Sequence, residues 1–436
     1  MTTLVTVAER ALEIAQKVAG KQAEIRAEMR VTEAGNVRFA RNAITTSGAG
    51  TEMSIGLTIK LGHRQAHAST NQGDEPALRS LAERALAMAK LAPEDPEAMP
   101  FLPPQKYLSV PSANDEAVRL MDARARAAVA ARACAAGDAA NVWIAGFLER
   151  GANRRVVATS TGLSVGIHTT SIGYTTTART KDGTGSGWAG RESFSAADVD
   201  DAALSKTAIE KARASASPKP LAPGKYTVVL EPAAVKEMLG FMLGSMNQRD
   251  ADEGRSYFTN KVGEKLFPDT VTLRSDSTSP ETPEAPFDDE GFALQPQSWI
   301  EKGVVKQLEV SRFWGAKVGK APTGSQNVFH LAGGTANGID ELVRGTKRGL
   351  LVTRFWYTRM LEPQTVMLTG LTRDGVFLIE DGKITQPVQN FRYNESPVNV
   401  LKNVEAMTRE TFRYGEMRIP ALRTREFTMA SVSAAV

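Results

Sequence analysis

The sequence predicts an α+β protein in two parts. The first is an N-terminal α/β domain of antiparallel strands and long helices, and the second a C-terminal domain of mostly antiparallel β structure. Three observations predict it. The chain has 436 residues, too many for one ordinary core. Segments of helical and of strand period both occur in the first half, whereas the second half is mostly strand and turn after one apolar helix. Between the halves lies SPKPLAPG, residues 217–224, whose three prolines and glycine keep it out of helix and sheet. The expected domains are therefore 1–216 and 225–436, joined by that linker.

The elements follow in order. Leu4, Ala8, Leu12 and Ala15 have helical spacing, so the chain opens on an amphipathic helix. Residues 23–32, 36–46 and 52–60 read as strands, with Gly35 and Gly48-Ala49-Gly50 as turns. Residues 75–91 read as a helix, with apolar residues at Leu78, Leu81, Leu86 and Met88. The Pro-rich segment 92–104 breaks that helix. Asn114-Asp115 caps a long Ala/Arg helix running to about Ala136. Residues 141–174 return to strand, and 196–214 form a helix. In the second half, residues 226–230 form a strand and Pro232 opens a helix. Val235, Met238, Leu239, Met242, Leu243 and Met246 give that helix a continuous apolar face. No internal repeat is detectable in the sequence.

Composition narrows the function classes. The chain is 42% hydrophobic and 23% charged, ordinary globular values. Its net charge of +4 is spread without a basic run, so nucleic acid is not an expected partner. No apolar stretch approaches the roughly 20 residues of a membrane span, and no membrane partner is expected. The first 20 residues lack the apolar core of a secretory signal. The single cysteine, Cys134, cannot form an internal disulfide and has no Cys or His neighbour in sequence. A reducing, cytoplasmic location is the expectation.

Four motifs suggest chemistry and fail on context. His63 and His67 have i, i+4 spacing but lie in a strand, where residues four apart stand roughly 13 Å apart. Gly185-Ser186-Gly187-Trp188-Ala189-Gly190 matches a dinucleotide fingerprint but lacks the βαβ frame, and reads as a glycine-rich loop. Asp288-Asp289-Glu290 before Gly291 lacks calcium-loop spacing and reads as a turn. Ser256 lacks a nucleophile-elbow context. His168 and His330 read as strand residues satisfied by hydrogen bonds.

The most informative stretch is residues 349–388. Asp381-Gly382 separates Val376-Phe377-Leu378-Ile379 from Lys383-Ile384-Thr385, which spells a type I′ hairpin. Upstream, Leu350-Leu351-Val352 continues into Thr353-Arg354-Phe355-Trp356-Tyr357, a β-branched and aromatic run. Pro363 and Gly370 punctuate the connection. Arg354, Tyr357, Arg359, Arg373 and Asp374 fall at strand ends, where they are candidate substrate contacts.

Together with other segments, this meander resembles the TldD/PmbA family of peptidase subunits. The matching pieces in order are Tyr226-Thr227-Val228-Val229-Leu230 with its helix; Arg255-Ser256-Tyr257-Phe258; Val262-Gly263-Glu264-Lys265; Phe287 to Gly291; and Ile300 to Lys306. Pro322-Thr323-Gly324 with Asn327, Gly333-Gly334, Glu341-Leu342 and Arg348-Gly349-Leu350 follow. The resemblance implies a zinc motif, His-Glu-x-x-x-His, on the helix after the first strand of the second half, and a cysteine ligand near the C-terminus. The imidazoles and thiolate hold zinc with an open position, and the glutamate takes a proton from metal-bound water. Here that helix reads KEMLGFMLGSM, with Gly240, Phe241 and Ser245 at the motif positions, and no cysteine lies near Phe412-Arg413-Tyr414. The chain therefore resembles the metal-free TldE (PmbA) branch. That likeness implies no catalytic residues and no cofactor in this chain, with zinc in a TldD-like partner subunit and an extended peptide as substrate. A homodimer is the assembly left open when that partner is absent. Two alternatives stand beside this reading: a stand-alone peptidase with relocated metal ligands, and a regulatory binding protein of the gyrase-modulator type.

Overall fold

The computed structural model describes residues 2–433. The N-terminal part is one antiparallel sheet with helices on one face. In chain order it comprises α1 (Thr2–Ala19), β1 (Glu24–Ala40), β2 (Ala43–Leu61), β3 (Arg64–Thr70), α2 (Glu75–Leu91), α3 (Glu116–Leu120), α4 (Ala123–Ala139), β4 (Val142–Thr159), β5 (Ser164–Thr180), β6 (Ser186–Ser193) and α5 (Asp201–Ala214). The strand order is β3-β2-β1-β4-β5-β6. Strand β1 sends Ile25, Ala27, Met29, Val31, Val37 and Phe39, all odd positions, into cores shared with the helices. Its even positions Arg26 and Glu28 face the other way, toward the C-terminal part, where Asp289 pairs with Arg30 and Arg155.

This sheet is a topological duplication: α1-β1-β2-β3-α2 is repeated as α4-β4-β5-β6-α5, with β1 and β4 antiparallel at the centre. The repeat lives in the layout of elements and not in residue identity.

Several expected boundaries move. Gly35, Gly48 and Gly50 are not turns but paired positions inside β1 and β2. The turn is Arg41-Asn42, both with positive φ (50° and 60°). Gly35 is needed for packing: the fully buried Arg126 guanidinium lies against it, and a Cβ there would sit 2.6 Å from Nη1. The Ala/Arg helix breaks at Met121-Asp122, because Asp122 caps α4 by accepting from the Ala125 N–H at 2.8 Å. Residues 185–190 are not a loop: Ser186 onward is strand β6, paired along β5. Gly187 lets α5 approach, since a Cβ there would lie 2.3 Å from the Ala208 carbonyl oxygen.

The C-terminal part contains β7 (Gly224–Leu230), α6 (Pro232–Ser245), α7 (Gln248–Asp252), β8 (Thr272–Ser275), β9 (Gln297–Glu301), β10 (Val304–Val305), α8 (Arg312–Val318), β11 (Phe329–Ala332), α9 (Ile339–Arg344), β12 (Arg348–Glu362), β13 (Met367–Glu380), β14 (Lys383–Pro387), β15 (Phe391–Glu395), α10 (Pro397–Lys402), β16 (Val404–Met407), β17 (Phe412–Tyr414), β18 (Met417–Ile419) and β19 (Leu422–Val432). One sheet runs β10-β9-β8-β11-β18-β17. In the other, β12, β7, β19, β15 and β13 pair in turn, and β13 returns to β12, so the strands close into a barrel. Phe355, Tyr393 and Phe427 stack inside it, with Phe355 and Tyr393 centroids 4.3 Å apart. The apolar face of α6 packs into the same core through Val235, Met238, Leu239, Met242 and Met246. The Asp381-Gly382 hairpin forms as expected, with φ of 46° and 76°. Gly370, expected as punctuation, lies within β13 because the Tyr393 ring occupies the place of its side chain. The Pro-rich run at 217–223 is held down at Lys219, which exchanges backbone hydrogen bonds of 3.0 Å with Pro387 and Gln389.

Candidate functional site

A cleft of about 420 Å³ opens where β6, the first turns of α6 and the outer half of β12 meet. Trp188 and Glu192 come from β6; Ala233, Lys236 and Glu237 from α6; Arg354 to Thr358 from β12; Tyr414 from β17. Its existence follows from strand lengths. β7 pairs with β12 only from Gly349 to Val352, then turns into α6 at Pro232. From Arg354 to Glu362, β12 pairs with β13, and no other strand among the described residues pairs with this stretch, which α6 flanks.

The five candidate residues sit at bulges inside long strands, not at strand ends. The ladder slips between Val352 and Arg354 and between Trp356 and Arg359, and Tyr357 takes a left-handed φ of 59°. Asp374, at φ 58°, is buried and accepts from Ser186 Oγ at 2.5 Å and Arg354 Nε at 2.7 Å. Arg354 and Asp374 are thus brought together as an internal ion pair that ties β12 and β13 to β6. The Arg354 guanidinium lies 5.0 Å from the Trp188 ring centroid and 5.4 Å from that of Trp356. Arg373 covers Trp356 at 5.0 Å. Arg359 donates to Tyr357 Oη at 2.6 Å and lies over its ring. Trp356, Tyr357 and Leu361 are exposed at 45%, 62% and 53%, unusual for neighbouring large apolar residues on one strand.

The walls are fixed to one another. Lys211 of α5 pairs with Glu231, the residue before α6, at 2.6 Å. Tyr414 Oη donates to the Gly190 carbonyl at 3.1 Å, and burial pushes its hydroxyl to about 12, so it stays a neutral donor. Arg191 stacks on Phe412 at 3.9 Å.

Trp188, Glu192, Lys236 and Glu237 were not singled out by the sequence reading. For Trp188 the signal was present but misassigned, because glycines at 185, 187 and 190 look like loop residues. A Cβ at Gly190 would lie 2.5 Å from the Trp188 ring, so this glycine makes room for the side chain. Of the rejected motifs, Asp288 does form a turn, accepting from the Glu290 N–H at 2.9 Å and the Phe292 N–H at 3.0 Å. His168 departs from expectation, since its Nε2 is buried without a hydrogen-bond partner.

Comparison with known proteins matches this architecture to domain models described as metallopeptidase domains. Residues 223–431 match the model described as PmbA/TldA metallopeptidase C-terminal domain, residues 23–89 its domain 1, and residues 111–216 its central domain. The chain belongs to the PmbA/TldD family. A protein named Metalloprotease from Methanothermobacter thermautotrophicus is 27% identical over 217 residues, 46% of each chain. A protein named Zinc metalloprotease TldD homolog from Saccharolobus solfataricus is 22% identical over 204 residues, 43% of this chain and 44% of that one. The chain thus spans about half the length of these curated relatives. The crystal structure of TldE from Thermococcus kodakarensis superposes with a TM-score of 0.88 at 16% identity, covering 98% of this chain and all of that one. That likeness is one of fold.

The family description implies a metal, named as zinc in the Saccharolobus solfataricus relative, and the donor set at α6 does not fit it. Phe241 packs against the apolar core, and Ser245 Oγ donates to the Phe241 carbonyl at 3.3 Å. A side chain at Gly240 would meet Met417 at 3.3 Å. These positions offer no imidazole, thiolate or carboxylate, and no cluster of three or more ligating side chains occurs among the described residues. No helix among the described residues is long and apolar enough to cross a membrane.

Proposed function

We propose that this chain is the metal-free, TldE-like subunit of a cytoplasmic TldD/TldE-type metallopeptidase complex. In this reading a partner bearing the zinc motif cleaves or matures extended peptides, and this chain forms part of the chamber wall and holds the substrate. The feature that supports the reading is α6, the helix that the family resemblance aligns with the motif helix, which carries Gly240, Phe241 and Ser245 where that resemblance expects ligands and base. The cleft beside it supports substrate holding. It offers an open strand edge, which binds peptide main chain with little sequence demand, flanked by exposed Trp356 and Tyr357. Tyr357, Arg359 and Arg373 are the proposed substrate contacts, and the Arg354–Asp374 pair holds β12 in place beneath them.

The test is reconstitution with the His-Glu-x-x-x-His chain of the same genome. A stoichiometric complex on gel filtration, with chelator-sensitive peptide cleavage that neither chain shows alone, is the expected result. Full cleavage by the partner alone, unchanged on adding this chain, overturns the reading.

A further inference from the structure

The outer face of the barrel beside the cleft carries more positive charge than its acids neutralise. Across the ladder Arg354 stands opposite Arg373, Trp356 opposite Leu371, and Arg359 opposite Thr369. Continuing into β15, Leu371 stands opposite Arg392 and Thr369 opposite Asn394. The intervening Phe355, Leu368, Thr372 and Tyr393 are buried, so the arginines share the outward face. Of the four, Arg354 alone has a carboxylate partner among the described residues. Arg373 sits on Trp356, Arg392 donates to Thr369 Oγ1 at 3.4 Å, and Arg359 donates to Tyr357. Among the described residues no carboxylate lies within ion-pair distance of these three. Like charges at neighbouring ladder positions destabilise a sheet, and a bound anionic ligand relieves that repulsion.

The same face borders the open edge of β12. A strand added to an edge turns its side chains alternately to the two faces of the sheet. We infer that the β12 edge takes an extended peptide whose alternate residues are acidic, with those carboxylates facing Arg359 on β12 and Arg373, which leans over Trp356 from β13. This deepens the peptide-holding role proposed above and rests on it. The intervening residues face Ala233, Lys236 and Glu237 on α6. Glu192 and Glu237 offset Lys236 within the cleft, so selection for acid comes from Arg359 and Arg373, which lie outside it. Single-stranded nucleic acid fits less well. A phosphodiester chain has no N–H groups to complete a strand edge.

The test uses fluorescence anisotropy of the pure chain with labelled short peptides. One alternates Thr and Glu, one alternates Thr and Lys, and one has the first composition with all Glu grouped at one end; oligo-dT is the fourth probe. The alternating Glu peptide is expected to bind about tenfold tighter than its Lys counterpart, the yield of two exposed ion pairs, and measurably tighter than the grouped one. R359Q/R373Q abolishes the preference while the far-UV circular dichroism of the folded chain is retained, and R373E shifts it toward the Lys peptide. Equal binding of the Glu and Lys peptides, or tighter binding of oligo-dT, overturns the inference. Because neither partner nor metal is present, failure of the subunit reading leaves this result interpretable. Cleavage by the chain alone sinks that reading while the charge preference is still measured.

Discussion

Removing one member of the Arg354–Asp374 pair exposes how the cleft is held. Asp374 is 1% exposed and the Arg354 side chain 19%, so the pair is largely out of water. At an effective dielectric near 20, charges at contact attract by about 4 kcal/mol, and desolvation with the residual exposure of Arg354 reduces the net coupling to about 2 kcal/mol. Asp374→Asn keeps a residue that tolerates φ 58° and an oxygen for Ser186, yet removes the charge. It is expected to cost about 2–3 kcal/mol, and Arg354→Met about the same, because each leaves a buried charge unpaired. The double variant is expected to cost no more than either single change, which gives a coupling of about 2 kcal/mol. The assay is urea denaturation followed by tryptophan emission, with Trp188 and Trp356 flanking the pair as local reporters. Additive single costs, with coupling below about 0.5 kcal/mol, refute the assignment of this pair as a clamp between β6, β12 and β13.

Three further outcomes are expected. Gly187→Val drives a side chain into the Ala208 carbonyl and the α5 backbone, so it lowers stability by about 3 kcal/mol in a thermal melt; a wild-type midpoint contradicts the packing of α5 on β6. Gly244→Ala, exposed on α6 with nothing within 4 Å of the added Cβ, raises stability by about 0.5–1 kcal/mol; a loss of stability contradicts the helix geometry there. His330 is held at about 4, below its ordinary 6.5, by burial and by Arg274. The unfolded chain then binds the extra proton, so the contribution of neutral His330 is present above pH 6.5 and falls toward pH 4 by up to about 1.4 kcal/mol per unit. His330→Gln flattens that part of the pH–stability profile, and an NMR titration of His330 near 6.5 refutes it.

Legibility in the sequence followed the range of the interaction. The Asp381-Gly382 hairpin and the apolar face of α6 were readable because turn chemistry and helical period are local. Gly35, Gly187 and Gly370 were not, because a glycine that makes room for Arg126, α5 or Tyr393 looks in sequence like one that makes a turn. Arg41-Asn42 was overlooked for the converse reason: neither residue is glycine, yet both adopt positive φ. For the cleft, the β12 residues were readable as a cluster of charge and aromatics. Their separation into a buried pair and an exposed face was not, since it depends on the slips in the β12–β13 ladder and on Ser186 arriving from β6. The duplication of the N-terminal sheet was likewise hidden, because it preserves element order and not residues.

The proposal that this chain supplies a metal-free wall to a metallopeptidase bears most directly on one quantity, the zinc content of the pure chain. It is measured by elemental analysis after zinc loading and dialysis, alongside cleavage of an extended peptide with and without chelator. The expected result is far less than one zinc per chain and no chelator-sensitive cleavage until the motif-bearing partner is added. One tightly held zinc per chain, with cleavage by this chain alone that a chelator stops, contradicts it.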